Sequence, residues 1–198
     1  YDGLQVRVTK QLTHRVSLLG TYTWSHDINT VEWDGTQQAP NSYSCLVICE
    51  KATSLLNQTN RASVSATYNL PWGFMLSGWM EAASGFPFNV TTGVDNNGDG
   101  NNTDRPVING VVIGRDAGQV PATYDFNFAL QKTFRMTERA SLILRAESYN
   151  TTNHLNLYSL NGVYGNGATP VATFGTPQGG LANVGSPRQM QFLARIVF

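Results

Sequence analysis

Asn60–Leu70 reads NRASVSATYNL, Pro71–Gly73 reads PWG, and Phe74–Ser84 reads FMLSGWMEAAS. In the first segment Ala62, Val64, Ala66, Tyr68 and Leu70 alternate with Ser63, Ser65, Thr67 and Asn69. A period of two belongs to a strand with one apolar and one polar face. Pro71 and Gly73 then mark a tight turn. The second segment sets Phe74, Leu76, Gly78, Met80 and Ala82 against Met75, Ser77, Trp79 and Glu81, with more noise. The pair reads as an antiparallel hairpin.

Five more segments carry the same alternation, at about 2–12, 15–26, 124–135, 139–150 and 187–198. In the fifth strand along the chain, Tyr124, Phe126, Phe128, Leu130 and Phe134 oppose Asp125, Asn127, Gln131, Thr133 and Arg135. The gaps alternate between tiny and large. The small ones are Thr13-His14, Pro71-Trp72-Gly73 and Met136-Thr137-Glu138; the large ones span roughly 27–59, 85–123 and 151–186. Short turns at one end and long loops at the other are the layout of an outer-membrane barrel. The expected fold is all-β: an antiparallel up-and-down transmembrane β-barrel segment of about seven strands, part of a larger barrel, with long extracellular loops.

A soluble β-sandwich would also alternate, but three large gaps suit it poorly. Three further features favour a membrane. Aromatic residues gather at strand ends: Tyr22, Trp24 and Tyr124 towards the long loops, and Tyr68, Trp72, Phe134 and Phe198 towards the short turns. Two interfacial girdles have this pattern. Lys10 and Lys132 break the apolar register near short turns, where a long side chain can snorkel. All eight prolines lie in turns, in loops or at a strand start, as an unbroken ladder in lipid requires.

Composition agrees. Formal net charge is zero, from 13 basic and 13 acidic residues, so a nucleic-acid surface is not expected. Charged residues are 13% of the chain, against the ~25% of ordinary soluble domains. No run approaches the ~18 apolar residues of a membrane-spanning helix. The chain starts at Tyr1 without a Met or a signal peptide, so the start is expected to be mature, trimmed or partial. An odd strand count leaves two edges open in lipid, which is costly. Further strands are therefore expected, either upstream or from copies of the chain.

Several stretches, in order along nearly the whole sequence, resemble the C-terminal barrel of TonB-dependent outer-membrane receptors. The likeness is to the Oar-like group with a carboxypeptidase-regulatory-like N-terminal domain. The stretches are Tyr22-Thr23-Trp24-Ser25, Tyr68-Asn69-Leu70-Pro71, Ser84-Gly85-Phe86-Pro87-Phe88, Asp95 through Gly100 with Asp104-Arg105-Pro106, Asn150 through Asn156, Phe174-Gly175, and Arg188 through Gln191. The resemblance implies a barrel of about 22 strands with a plugged lumen. It also implies TonB-coupled uptake or binding of an external ligand, whose identity it does not fix. On this reading residues 1–198 form one C-terminal barrel unit in the outer membrane of a Gram-negative-type bacterium. Its partners are outer-membrane lipid, the barrel-assembly machinery that reads a terminal strand ending at Phe198, and TonB only through an N-terminal plug absent from this sequence. The alternative is a self-assembling β-rich surface or structural subunit.

Two local features are candidate sites. Asp95-Asn96-Asn97-Gly98-Asp99-Gly100 copies the opening of a calcium loop, with oxygen donors at Asp95, Asn97 and Asp99 and a glycine at the sixth place. Pro106 stands where the closing acid belongs, and Asp104 substitutes two places earlier. The other reading is a tight turn held by its own side chains. Cys45 and Cys49 share the first long loop, and an oxidising exterior allows a disulfide between them; the other reading is two free thiols. His14, His26 and His154 have no metal-ligand spacing, and no nucleophile motif appears. No catalytic residue and no cofactor other than calcium is expected, and the chain is not expected to be an enzyme. Arg7, Glu81, Asp125, Arg145, Glu147 and Arg195 face inward, either to hold a plug or to solvate a wet lumen. Trp33, Tyr43, Phe86, Phe88, Tyr158 and Tyr164 either meet ligand or pack the loops on themselves.

Overall fold

A computed structural model describes residues 1–13, 15–31, 49–178 and 185–198 of the chain. Seven strands form one antiparallel sheet: β1 (Asp2–Thr13), β2 (Val16–His26), β3 (Asn60–Asn69), β4 (Phe74–Ala83), β5 (Thr123–Arg135), β6 (Ser141–Tyr149) and β7 (Gln189–Val197). Each pairs with its neighbours in chain order, so β1 and β7 have one strand neighbour each. The sheet is an open wall rather than a closed barrel. No helix among the described residues is long and apolar enough to cross a membrane.

The register converts the alternation into two continuous faces. One row runs Val6–Tyr22–Ala62–Ala82–Tyr124 across five strands. Another runs Val16–Tyr68–Leu76–Leu130–Ala146–Phe192. The first brings Tyr22 and Tyr124 to one level near the long loops. The apolar side stays open: Val6, Phe128 and Phe192 are 46%, 48% and 78% exposed. Serine, threonine, glutamine and charged residues occupy the other side, in rows such as Arg7–Thr21–Ser63–Glu81–Asp125.

Lys132 stands on the apolar side and behaves as its position predicts. Its ammonium lies 4.2 Å from the Phe74 ring centroid and 5.3 Å from that of Phe134, and it donates to the carbonyl of Trp72 in the adjacent short turn. Cation–π contact and a carbonyl replace water at the strand end.

The short turns are built tightly. Trp72 and Gly73 take positive φ, 59° and 75°, while Leu70 N–H donates to Phe74 O at 2.9 Å. A Cβ on Gly73 would stand 2.8 Å from the carbonyl oxygen of Thr133 on the neighbouring strand. After β5, Thr137 Oγ1 accepts from the Ala140 N–H at 3.0 Å.

Rich in Asn, Gly, Thr and Ser, the long connections read from sequence as polar, irregular and exposed; the structure shows more order. They contain short ladders of their own: Ile28–Asn29 with Ala52–Thr53, Pro87–Phe88 with Gly118–Gln119, and Val107–Ile108 with Val111–Val112. A parallel bridge, Thr91 to Val163, joins the second loop to the third. Several of their polar side chains are buried, among them Glu50, Asn57, Asp104, Arg105, Arg115 and Asn156. The loops fold together over the polar side of the sheet because their polar groups find partners in one another.

Gly73→Ala should lose about 1–2 kcal/mol, because it adds left-handed strain and a clash with fixed backbone. Gly98→Ala, also at positive φ but with open space around it, should lose less. Urea midpoints of the two variants measured side by side check the order; equal losses would remove the clash from the account.

Candidate functional site

The polar face of the sheet and the loops above it line a half-open cavity of about 610 Å³. Ser65, Ser77, Trp79, Asp125, Asn127, Arg145 and Glu147 rise from the strands, and Asn156, Tyr158 and Ser186 close it from the loop side. A second cavity of about 260 Å³ lies next to it, lined by Arg61, Glu81, Phe86 and Val120 and sharing Asp125, Asn156 and Tyr158 with the first.

The floor is charged and ordered. Arg61 Nη2 reaches Glu81 Oε1 at 2.6 Å. Arg145 Nε and Glu147 Oε1 are 2.5 Å apart, an ion pair whose N–H does not align as a hydrogen bond. The Tyr149 hydroxyl donates to Glu147 Oε2 at 2.8 Å. All six inward charges named from sequence belong to this sheet face by register, with Arg195 opposite Ile143; Arg61, absent from that group, supplies the partner of Glu81. Arg7 heads the row that ends in Asp125.

The roof is fixed by Asn150–Asn156. Asn156 extends the pairing of β5 with its side chain, accepting from Tyr124 N–H and donating to Tyr124 O, both at 2.8 Å. Asn150 takes φ 44° and Asn153 φ 52°, values that asparagine tolerates better than most residues. Asn150 Nδ2 donates to the carbonyls of His154 and Ser186, both at 2.9 Å, and Asn127 Oδ1 accepts from Asn150 N–H at 2.9 Å. The third loop is thereby stitched to β5 and to the approach of β7. Gly85, in the Ser84–Phe88 stretch, lies so close to the Val120 carbonyl that a Cβ would sit 1.6 Å from its oxygen.

The first and second loops are joined by a buried ionic cluster. Arg105 donates to both oxygens of Glu50, at 2.6 and 2.5 Å. Arg115 donates to the Glu50 carbonyl at 2.9 Å, to Asp116 at 2.8 Å, and to the carbonyl of Asn29 at 2.8 Å. Of these, the sequence marks only Arg105, within the Asp104-Arg105-Pro106 stretch of the family resemblance; for Glu50, Arg115 and Asp116 the signal is their charge, in loops otherwise rich in neutral polar residues.

The remaining candidates separate. Asp95, Asn97 and Asp99 lie exposed in the second loop, and Asp104 is buried beneath them. Asp95 accepts from Gly98 N–H at 2.7 Å and Gly100 N–H at 2.9 Å. Asp104 Oδ2 accepts from Asn96 N–H at 2.6 Å and Asn97 N–H at 3.0 Å. The Gly100 N–H does most to hold the Asp95 carboxyl below its ordinary value of 3.8; desolvation, the next largest influence, opposes it, and the N–H groups of Gly98, Asp99 and Asn97 add to the lowering. Among the described residues no three His, Cys, Asp or Glu side chains are grouped to hold a metal ion. Cys49 is disulfide-bonded; Cys45 lies outside the described residues, as do His14, Trp33 and Tyr43. Of the loop aromatics, Tyr164 and Phe88 pack against Phe174, at 5.3 and 6.5 Å between centroids, whereas Phe86 and Tyr158 face the cavities.

The model of the family described as outer membrane beta barrel domain matches residues 1–119 and 110–191. No curated protein matches the chain, and no solved structure does.

Arg105→Ala leaves the Glu50 carboxylate, buried to 1% exposure, without its bidentate partner. The expected cost is about 3–5 kcal/mol, most of it returned when Glu50→Leu and Arg105→Met are combined. Hydrogen exchange of the first two loops measures it. A single variant as protected as the wild type would show the pair to be dispensable.

Proposed function

We infer the function of a chain that belongs to the outer membrane beta barrel domain family and resides in the cell outer membrane: it supplies the wall and outer loops of a receptor that binds an external substrate and passes it inward under TonB coupling. One observation carries the reading. Seven strands present an apolar side, broken by Lys10 and Lys132 near the short turns, and loops fold over the opposite, polar side to roof a cavity. A wall with no transport role has no need of a roofed cavity on its lumen side. The ordered resemblance to the Oar-like receptors supports the TonB coupling, and the short turns then face the periplasm. The proposed role is binding and passage, without catalysis.

The two open sheet edges also favour a second reading, completion by copies of this chain into a β-rich surface structure. The reading frame upstream of Tyr1 separates the two. A continuous frame encoding a plug domain, whose full product captures the periplasmic domain of TonB while residues 1–198 alone do not, is the expected result. A signal peptide directly before Tyr1, or a full product that does not capture TonB, would favour the assembly.

Calcium at Asp95, Asn97, Asp99 and Asp104 is a proposal within the receptor reading, as a fastener of an external loop. Gly100, at φ 85°, permits the sharp turn such a loop needs, and lone pairs remain on the oxygens that already accept N–H groups. Affinity on the order of 10⁻⁴–10⁻³ M suits an external site. Calorimetric titration to several times that range, beside Asp99→Ala, decides it. Heat lost in the variant is expected from a calcium site; no heat, or equal heat, assigns the loop to a self-held turn.

A further inference from the structure

One acid on the lumen floor is left over by the ion pairs around it. Arg61 serves Glu81 and Arg145 serves Glu147. Asp125 stands directly across the ladder from Glu81, a position in which like charges repel. Its Oδ1 is buried and has no hydrogen-bond partner among the described residues. A carboxylate oxygen shielded from water without a partner is costly. The same side chain lines both cavities.

The surroundings specify the missing partner. Arg61 and Arg145 are already engaged, so charge balance at Asp125 calls for one more positive group. Trp79 pairs with Asn127, which makes it the diagonal neighbour of Asp125 on the same face. It is 39% exposed, and Tyr158, at 49%, lines the same cavity. A carboxylate beside available aromatic faces favours a nitrogen cation on an organic body, since the charge meets the acid while the body meets the rings.

We propose that Asp125, with Trp79 and Tyr158, receives a cationic nitrogen group, an ammonium or a guanidinium, inside the lumen. Two sources share that chemistry: an external organic amine, which deepens the receptor reading and rests on it, and a lysine or arginine from another segment of the same protein. An external amine passes the roof and meets Asp125 where the two cavities join.

The test uses the intact protein in detergent, with heat-modifiable migration as the check that each variant is folded. Benzamidine, a flat amidinium, and benzamide, its uncharged isostere, are titrated by calorimetry. Benzamidine should bind roughly tenfold more tightly or better. That preference should vanish in Asp125→Asn and persist in Glu138→Gln at the far turn. If benzamidine finds the site filled, Asp125→Asn should lower the melting temperature and Asp125→Glu should largely restore it, which assigns the cation to the protein itself. Without any cation at the site, Asp125→Asn removes a repulsion with Glu81 and stability holds or rises. That result, together with equal binding of the two probes, would overturn the proposal. Binding in detergent needs no TonB, so failed TonB capture leaves the proposal standing, and a failed titration leaves the receptor reading standing.

Discussion

A backbone amide in hydrocarbon has no water to bond, and the sheet is organised by that constraint. Each strand must place its N–H and C=O groups on neighbours, and β1 through β7 do so in chain order, antiparallel throughout, with one register shift between Lys10 and Thr13. Register then decides everything on the two faces. Because side chains alternate, a slip of one residue would carry Arg145 and Glu147 to the lipid side and Leu144 and Ala146 to the lumen. The apolar rows are thus both consequence and enforcement of the pairing. The open edges of β1 and β7 are where the seven strands alone do not meet this rule, since a wall in lipid requires neighbours on both sides.

The loops obey a different accounting. Among the described residues the buried apolar ones are Ala83, Val90, Val120, Ala129 and Tyr164, too few to hold three long connections by the hydrophobic effect. Polar closure takes its place: the Glu50–Arg105 pair, the asparagine side chain laid along β5, and reciprocal amide bonds between Asn96 and Asn166 at 3.0 and 3.1 Å. Buried polar groups must be nearly all satisfied to be tolerated. That demand explains the glycines at contacts such as Gly85 with Val120, where a side chain would push the partners apart.

What was legible in the sequence follows this division. Strands were legible because the pleat writes a period of two; 60–70 was expected for β3 and Asn60–Asn69 is found. The lumen face was legible for the same reason, and so was the Arg145–Glu147 pair, two residues apart on one strand. Arg61 with Glu81, and Asp125 opposite Glu81, needed the register of two hairpins, which alternation alone does not give. Glu50 and Arg105 are 55 residues apart in segments with no period at all, so nothing in the sequence joined them. The spacing offers Asp104 as a late calcium donor, while its burial under Asn96 and Asn97 depends on how the loop folds back.

The polar closure also constrains how the cavity opens. The second loop is the hub: ions tie it to the first loop through Glu50, and backbone bonds tie it to the third through Thr91 with Gly162 and Tyr164, at 2.9 and 2.8 Å. Parting the first and second loops would strand buried charges, the costliest break available. Parting the second and third would expose backbone groups to water, which can replace those bonds at little net cost. Asn156 holds the third loop to β5 through neutral hydrogen bonds of the same exchangeable kind. Among the described residues, the first and second loops are therefore joined by the contacts that cost most to break, and the third by bonds that water can replace.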